Sequence, residues 1–368
     1  MIIAITSMGI AVPSYKRSQM EIAELVSNLL GLSSTEKKLL KSIYKATGIE
    51  HRYSVLSDYN KNPGQFTFFP NEQNNPFPST ADRMQVYKEQ ALPLAINAIN
   101  NCIDNLKSFS KNIITHLITV SCTGMYAPGL DIEIVQTLNL RTTINRTAIN
   151  FMGCYGAFNA IKFATAICKS DSTANVLVVC VELCTLHFQY KHTIENFISN
   201  ALFADGAAAI LIQANPDAKR YLSLENFYCD LVPQTSSDMA WHIGNYGFDI
   251  VLKSYVPQAI QAGISNFVDR LLIQADLSLD QIDYYAIHPG GPHILKACEA
   301  ALKINKDQNK YAYDILRKYG NISSATLVFL LKAMTDDMNS LQDNKLIFCC
   351  AFGPGLTLES MLLKTHII

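Results

Sequence analysis

Asn150-Phe151-Met152-Gly153-Cys154-Tyr155-Gly156-Ala157-Phe158 reads as the end of a strand, a sharp turn at Gly153 and the start of a helix of small residues. The helix leads into Val176 to Leu183, apolar almost throughout, which is the pattern of a strand covered on both faces by helices. Working outward in both directions, the same alternation recurs. Upstream, the spacing predicts helices over Ser18 to Leu32, Ser34 to Thr47, Thr80 to Asn100 and Asp131 to Leu138, and strands over Ile113 to Val120 and Arg146 to Phe151. Downstream it predicts a strand over Ala207 to Ile212, helices over Pro257 to Ala275, Pro292 to Leu302 and Ser323 to Met338, and short strands over Tyr284 to Ile287 and Leu346 to Cys349. The charged, proline-bearing stretch near Asn215 to Arg220 divides this α/β chain into two halves of similar grammar, 1–215 and 216–368. One segment breaks the pattern: Tyr59 to Pro78 is rich in asparagine and proline, and a loop of that length is expected to cover a surface or an entrance.

Composition narrows the class. The chain has 368 residues, 49% of them hydrophobic and only 17% charged, against roughly 25% charged in soluble domains. That disfavours disorder and points to extensive burial. With 30 Lys and Arg against 31 Asp and Glu, and no basic block, nothing supports nucleic-acid binding. No run of about 18 apolar residues suggests a membrane span, and the first residues, Met1 to Gly9, read as a strand and turn in place of a signal peptide. Ten cysteines lie mostly inside apolar runs, so they are expected as reduced thiols in the cytoplasm.

Three residues carry candidate chemistry. Cys154 is expected at a helix N-terminus, where unpaired N–H groups and the helix dipole favour a thiolate; the plain alternative is a buried structural cysteine. His288, in His288-Pro289-Gly290-Gly291-Pro292, follows a strand on a rigid turn, a usual place for functional groups, and an imidazole beside a thiol makes a nucleophile. Asn321, before a Ser-capped apolar helix, offers an amide donor to an oxyanion or serves as an ordinary turn asparagine. Phe352-Gly353-Pro354-Gly355 is a tight turn that walls a cavity or merely reverses the chain. Metal binding has little support, since Cys180 and Cys184 lack a matching Cys/His pair at zinc spacing.

Together, Met152-Gly153-Cys154, the run Ala201 to Ala209, His288-Pro289-Gly290-Gly291-Pro292, Gly320-Asn321-Ile322-Ser323-Ser324 and Phe352-Gly353-Pro354-Gly355 resemble the type III polyketide synthases, the chalcone synthase-like branch of the thiolase fold. The resemblance runs from about Lys45 to Leu363. It implies a five-layered αβαβα fold with two similar halves, a homodimer, acyl-CoA and malonyl-CoA as substrates, and no cofactor or metal. Cys154 would take the acyl group. His288 would hold it as thiolate and, with Asn321, bind the malonyl thioester carbonyl during decarboxylation. Phe203 matches the family's gatekeeping phenylalanine, with Ser323 beside the asparagine.

Cavity positions depart from the plant pattern. Cys122, Cys184 and His187 stand where plant chalcone synthases carry threonine, Ile250 replaces a cavity phenylalanine and Ala351 a loop glycine, so a flavonoid-type product is not expected. Trp241 to Gly244 falls in the cavity region. Lys41 and Lys45 fall near the CoA entrance, although a solvated helix face is their plainer reading. A ketoacyl-ACP synthase III-like enzyme shares the fold and the Cys-His-Asn set; an inert thiolase-fold scaffold is the non-enzymatic alternative.

Overall fold

The computed structural model describes residues 1–72, 75–104, 106, 109–233, 235, 237–253 and 255–367. The first half contains β1 (Ile3–Ala11), β2 (Tyr15–Ser18), α1 (Gln19–Leu29), α2 (Ser34–Ala46), β3 (His51–Ser54), α3 (Thr80–Ile103), β4 (His116–Ser121) and α4 (Leu130–Thr137). It continues with β5 (Asn145–Asn150), α5 (Gly156–Ser170), β6 (Asn175–Leu183), α6 (Ile194–Leu202) and β7 (Asp205–Ala214). The second half contains β8 (Arg220–Leu231), a hairpin of β9 (Met239–Gly244) and β10 (Gly247–Leu252), α7 (Val256–Gln274), β11 (Tyr284–Ile287), α8 (Pro292–Leu302), α9 (Lys310–Tyr319), α10 (Thr326–Asp337), β12 (Leu346–Gly353) and β13 (Thr357–Ile367).

Pairing makes the similarity of the halves explicit. In the first, β1 runs antiparallel to β7, β7 antiparallel to β6, and β6 parallel to β4. In the second, β8 runs antiparallel to β13, β13 antiparallel to β12, and β12 parallel to β11. A short antiparallel contact between β1 and β8 joins them in the order β11-β12-β13-β8-β1-β7-β6-β4-β5. Helix α3 packs on β1, β7 and β6, α5 and α10 touch strands of both halves, and α7 packs on β8 and β13. The layers are therefore α, β, α, β, α, as the resemblance implies. The central position of α5 explains its small residues: Ala157, Ala160 and Ala164 are fully buried and let it lie close to sheet on either side. Strand β6 is buried along Val176 to Leu183, as its unbroken apolar run requires.

Local signals account for the helix starts. Ser18 with Glu21, Ser33 with Glu36 and Ser79 with Asp82 form reciprocal capping boxes at α1, α2 and α3. The cap of α2 is thus Ser33, one residue before the expected start. The helix expected from Ser323 instead begins with a 3-10 turn, Ser323–Ala325, and α10 starts at Thr326 without a side-chain cap. Its serines are engaged elsewhere. Strand β8, the β9–β10 hairpin and helices α6 and α9 go beyond the elements read from the sequence, although α9 carries a regular helical stripe of buried Tyr311, Ala312, Ile315 and Leu316.

The Asn-rich loop covers a surface. Asp58 receives the backbone N–H groups of Thr67, Phe68 and Phe69 at 2.8 to 2.9 Å, and Phe69 and Phe77 pack on Phe188. Positions 73 and 74 lie outside the described residues. Nine of the ten unpaired cysteines are buried; Cys229, expected in the core, is exposed on β8.

Candidate active site

One cavity of about 600 Å³ opens between the two halves, and Cys154, Phe203, Ile250, His288, Asn321 and Pro354 all line it. Cys154 sits in a 3-10 turn, Gly153–Tyr155, directly before α5. The turn is built from uncommon backbone: Phe151 has φ 61° and Gly153 φ 74°. A Cβ on Gly153 would lie 2.5 Å from Pro354 Cδ, so only glycine lets the two turns meet. The Phe352–Gly355 turn therefore walls the cavity. Asn321 closes the opposite side. Its Oδ1 accepts the Ser323 N–H at 2.8 Å, and Cys154 Sγ lies 3.9 Å from its Nδ2 and 4.0 Å from its Oδ1. Ser323 holds φ 46°, a second strained position beside the reacting atoms, each costing about 1–3 kcal/mol.

His288 follows β11 and is 1% exposed, its backbone N–H bonded to Cys350 O at 2.8 Å. Neither ring nitrogen has a hydrogen-bond partner among the described residues. An unsatisfied buried polar group costs roughly 1–3 kcal/mol, a cost that a ligand accepting its N–H would remove. The expected resting thiolate is not what this environment favours. Burial pushes the Cys154 thiol up to about 12 and the His288 imidazole down to about 3, so both rest neutral. The helix N-terminus is present, but in a dry site desolvation outweighs it.

Glu182 organises the floor. It is the one acidic residue of β6, fully buried, and burial lifts its carboxyl to about 7. It accepts from Cys122 N at 3.0 Å, from Thr123 Oγ1 at 2.9 Å and from the Ser324 hydroxyl, joining the end of β4 to the turn beyond Asn321. That lone charge in an apolar strand was a legible signal. Cys122 lines the cavity and also accepts the Gly153 N–H at 2.9 Å, holding the Cys154 turn. Cys184, Ile250 and Ser323 line the cavity as well.

His187 is absent from the wall of that cavity but lines a small pocket beside it, with Cys184, Phe203, Trp241 and Ile250. Its Nε2 donates to Thr123 O at 2.7 Å, its Nδ1 accepts from Phe248 N at 2.9 Å, and its ring stacks on Phe248 at 4.2 Å. It is a strut behind the wall, met edge-on by the Trp241 ring at 5.7 Å, and Trp241 Nε1 donates to Cys122 O at 2.7 Å. Lys41 pairs with Glu24 and Lys45 is exposed, so both lie on the solvated face of α2; Lys253, His293 and Lys296 supply the basic lining instead.

The His187 strut makes a measurable prediction. Burial holds its imidazole near 3, below the ordinary 6.5. Between those values the unfolded chain takes up a proton that the folded chain refuses. The stability His187 contributes is therefore complete above about pH 6.5 and falls by about 1.4 kcal/mol per pH unit toward pH 3. His187→Phe keeps the stacking but strands Thr123 O and Phe248 N–H, so it is expected to cost about 2–5 kcal/mol at pH 7.5. Denaturant titrations from pH 7.5 to 4.5 should also show one proton fewer taken up on unfolding; an unchanged pH slope would contradict the strut.

Comparisons with known proteins agree with this geometry. Residues 2–216 match the family described as chalcone and stilbene synthases, N-terminal domain, and residues 224–367 match its C-terminal domain. The alpha-pyrone synthesis polyketide synthase-like Pks18 of Mycobacterium tuberculosis is 29% identical over 361 residues, covering 96% of this chain and 89% of the relative. Type III polyketide synthase A of Arabidopsis thaliana is 29% identical over 339 residues, covering 89% of this chain and 84% of the relative. Among solved structures, the C-terminal type III polyketide synthase domain of Steely1, a type I/III hybrid from Dictyostelium, superposes with a TM-score of 0.92 at 26% identity over all of both chains. A polyketide synthase of the brown alga Ectocarpus siliculosus superposes at 0.88 with 28% identity, covering 99% of this chain and 98% of the other. The chain thus belongs to the chalcone and stilbene synthase family: it has the thiolase-like fold and is a type III polyketide synthase, an acyltransferase that carries out decarboxylative condensation with malonyl-CoA.

Proposed function

We propose that the enzyme loads an acyl-CoA starter on Cys154, extends it with malonyl-CoA and cyclises the chain to a pyrone or resorcinol-type polyketide. The observation that carries the reading is the convergence of Cys154, an unpartnered His288 and Asn321 on one largely apolar cavity. In loading, the Cys154 proton passes to His288, the sulfur attacks the starter carbonyl, and CoA leaves as a thiol with that proton. In extension, the neutral His288 N–H and Asn321 Nδ2 hold the malonyl thioester oxygen while the carboxylate departs as CO₂. Its bonding electrons become an enolate, which attacks the acyl carbonyl on Cys154 and expels the sulfur. These donors meet the developing charge, so no metal or organic cofactor is required. Lys253, His293 and Lys296 would face the phosphates of CoA, and Phe203 would stand between tunnel and chamber.

The pyrone assignment is supported by the name of the mycobacterial relative and by the departure from plant-type residues at Cys122, Cys184 and Ile250. A homodimer in a reducing cytoplasm completes the reading; light scattering and cell fractionation test those two points. Acyl-CoA starters of graded length, assayed with radiolabelled malonyl-CoA and mass spectrometry, test the chemistry. Pyrone or resorcinol products support it. In a parallel assay with malonyl-ACP as extender, a single ketoacyl-ACP product would replace it with the one-condensation alternative.

Ile250 sets part of the chamber width. Ile250→Ala is expected to move preference toward longer starters and Ile250→Phe toward shorter ones, by about tenfold between neighbouring lengths, since one methylene in an apolar pocket is worth about 1–3 kcal/mol. Identical product profiles for both variants would remove Ile250 from the chamber.

A further inference from the structure

Arg52, on β3, is 2% exposed, and no carboxylate lies within ion-pair distance of it among the described residues. Its Nε donates to Gln19 Oε1 at 2.9 Å and its Nη1 to the Phe203 carbonyl at 2.6 Å, while Nη2 is buried without a hydrogen-bond partner. A buried cation without a counter-ion is costly by several kcal/mol, and neutral donors could tie two carbonyls at less expense. The Tyr44 ring, 5.6 Å from the guanidinium carbon, offsets part of that cost, and the polar contacts of the cation go to Gln19 and Phe203.

Ala201 and Leu202 close α6 and Phe203 is extended, with φ −81° and ψ 145°, so the last helical carbonyls have no intrahelical N–H and are taken up on two sides of the chain. On one side, Gln19 Nε2 donates to Ala201 O at 2.7 Å and Arg52 to Phe203 O. On the other, Leu202 O accepts from Asn321 N and Ala204 N donates to Asn321 O, both at 2.9 Å, which forms the isolated bridge between Phe203 and Asn321. Gly320, with φ 78°, presses on the arginine stem: a Cβ there would lie 3.1 Å from Arg52 Cγ and 2.9 Å from Leu202 O. The Gln19 amide also reaches Thr47 Oγ1 at 3.1 Å, and Thr47 lines the cavity.

We propose that Arg52 is a positioning residue for the reaction: through the Phe203 carbonyl and the Phe203–Asn321 bridge it sets the place of the Asn321 amide against the reacting thioester. The guanidinium is a charge-assisted donor, stronger and shorter than a neutral one, and it grips the single carbonyl between the gate and the bridge. Displacing an oxyanion donor by about 1 Å costs on the order of 100-fold in rate. The proposal rests on the role given above to Asn321.

The test compares Arg52→Met, Arg52→Ala, Arg52→Lys, Gln19→Leu and Asn321→Ala with the unaltered enzyme. Three readouts are taken: melting temperature, acylation of Cys154 by a starter CoA from intact mass, and steady-state malonyl-CoA decarboxylation. Arg52→Met, assayed below its melting temperature, is expected to lose about 10- to 100-fold in decarboxylation kcat with KM changed less than about threefold, and to acylate Cys154 at near the original rate. Arg52→Lys, which reaches only one of the two acceptors, should fall between. Millimolar methylguanidinium should restore part of the kcat of Arg52→Ala, a response that a purely structural loss would not show. Should the methionine variant not fold, Gln19→Leu carries the test, since it leaves the charge but frees the side chain to swing; about 3- to 10-fold loss with the same split is expected. Decarboxylation kept within twofold, or acylation and decarboxylation lost equally, overturns the proposal. Full decarboxylation by Asn321→Ala would overturn the Asn321 role itself, a separate outcome.

Discussion

Cys154→Ala is expected to yield no polyketide from any starter, a loss of at least about 1,000-fold, because Cys154 is the cavity thiol beside Asn321, while Cys122 is tied to the Gly153 N–H and burial holds Cys122 and Cys184 well above the ordinary thiol range. The side chain loses one buried sulfur, a change on the order of 1 kcal/mol, so the melting temperature should move by only a few degrees. Malonyl-CoA decarboxylation should persist within about tenfold, since enolate formation draws on His288 and Asn321 and not on the sulfur. Liquid chromatography with mass spectrometry reads the products, and intact mass reads the acyl adduct. Condensation retained by a folded Cys154→Ala protein would sink the assignment of the nucleophile.

The second large effect concerns the two donors. His288→Ala and Asn321→Ala are each expected to lower malonyl-CoA decarboxylation by about 100- to 1,000-fold, the usual consequence of deleting one oxyanion donor in a water-poor site. Both residues are 1% exposed, so bulk water is a poor substitute for either. Phe203→Leu removes no donor and should act mainly on KM and on which starters pass. Equal losses in kcat for all three variants would contradict the division of roles between gate and donors. The neutral resting states of Cys154 and His288 add a consequence for labelling. With burial holding the thiol up at about 12, slow alkylation of the free enzyme by iodoacetamide at neutral pH is consistent with, and not evidence against, a catalytic role.

Much of the site was legible because its parts are local. Cys154, His288 and Asn321 each follow a strand or a glycine turn within a few residues, a context that short-range sequence displays. Glu182 was visible in principle as the one acidic residue of an apolar strand. His187 was not: the ring occupies a cavity position in the family pattern, yet its hydrogen bonds go to Thr123 and Phe248, 64 and 61 residues away, and these draw it behind the wall. Arg52 and Phe203 are 151 residues apart, and no periodicity in either segment announces their contact. The serines at 323 and 324 illustrate the same limit, since they look like helix caps until Asn321 and Glu182 are brought within reach.

The amino-acid sequence by itself determined the alternation of strands and helices, the buried character of β6 and α5, and the candidacy of Cys154, His288 and Asn321. The first two follow from hydrophobic periodicity, the third from local motifs whose combination resembles a family pattern. The tertiary structure decided which residues face the chamber, which charge states they rest in, and what holds the donors in place. Those properties depend on distance and on exclusion of water. Both arise only when the two halves close over one cavity and place groups from opposite ends of the chain within a few ångströms of one another.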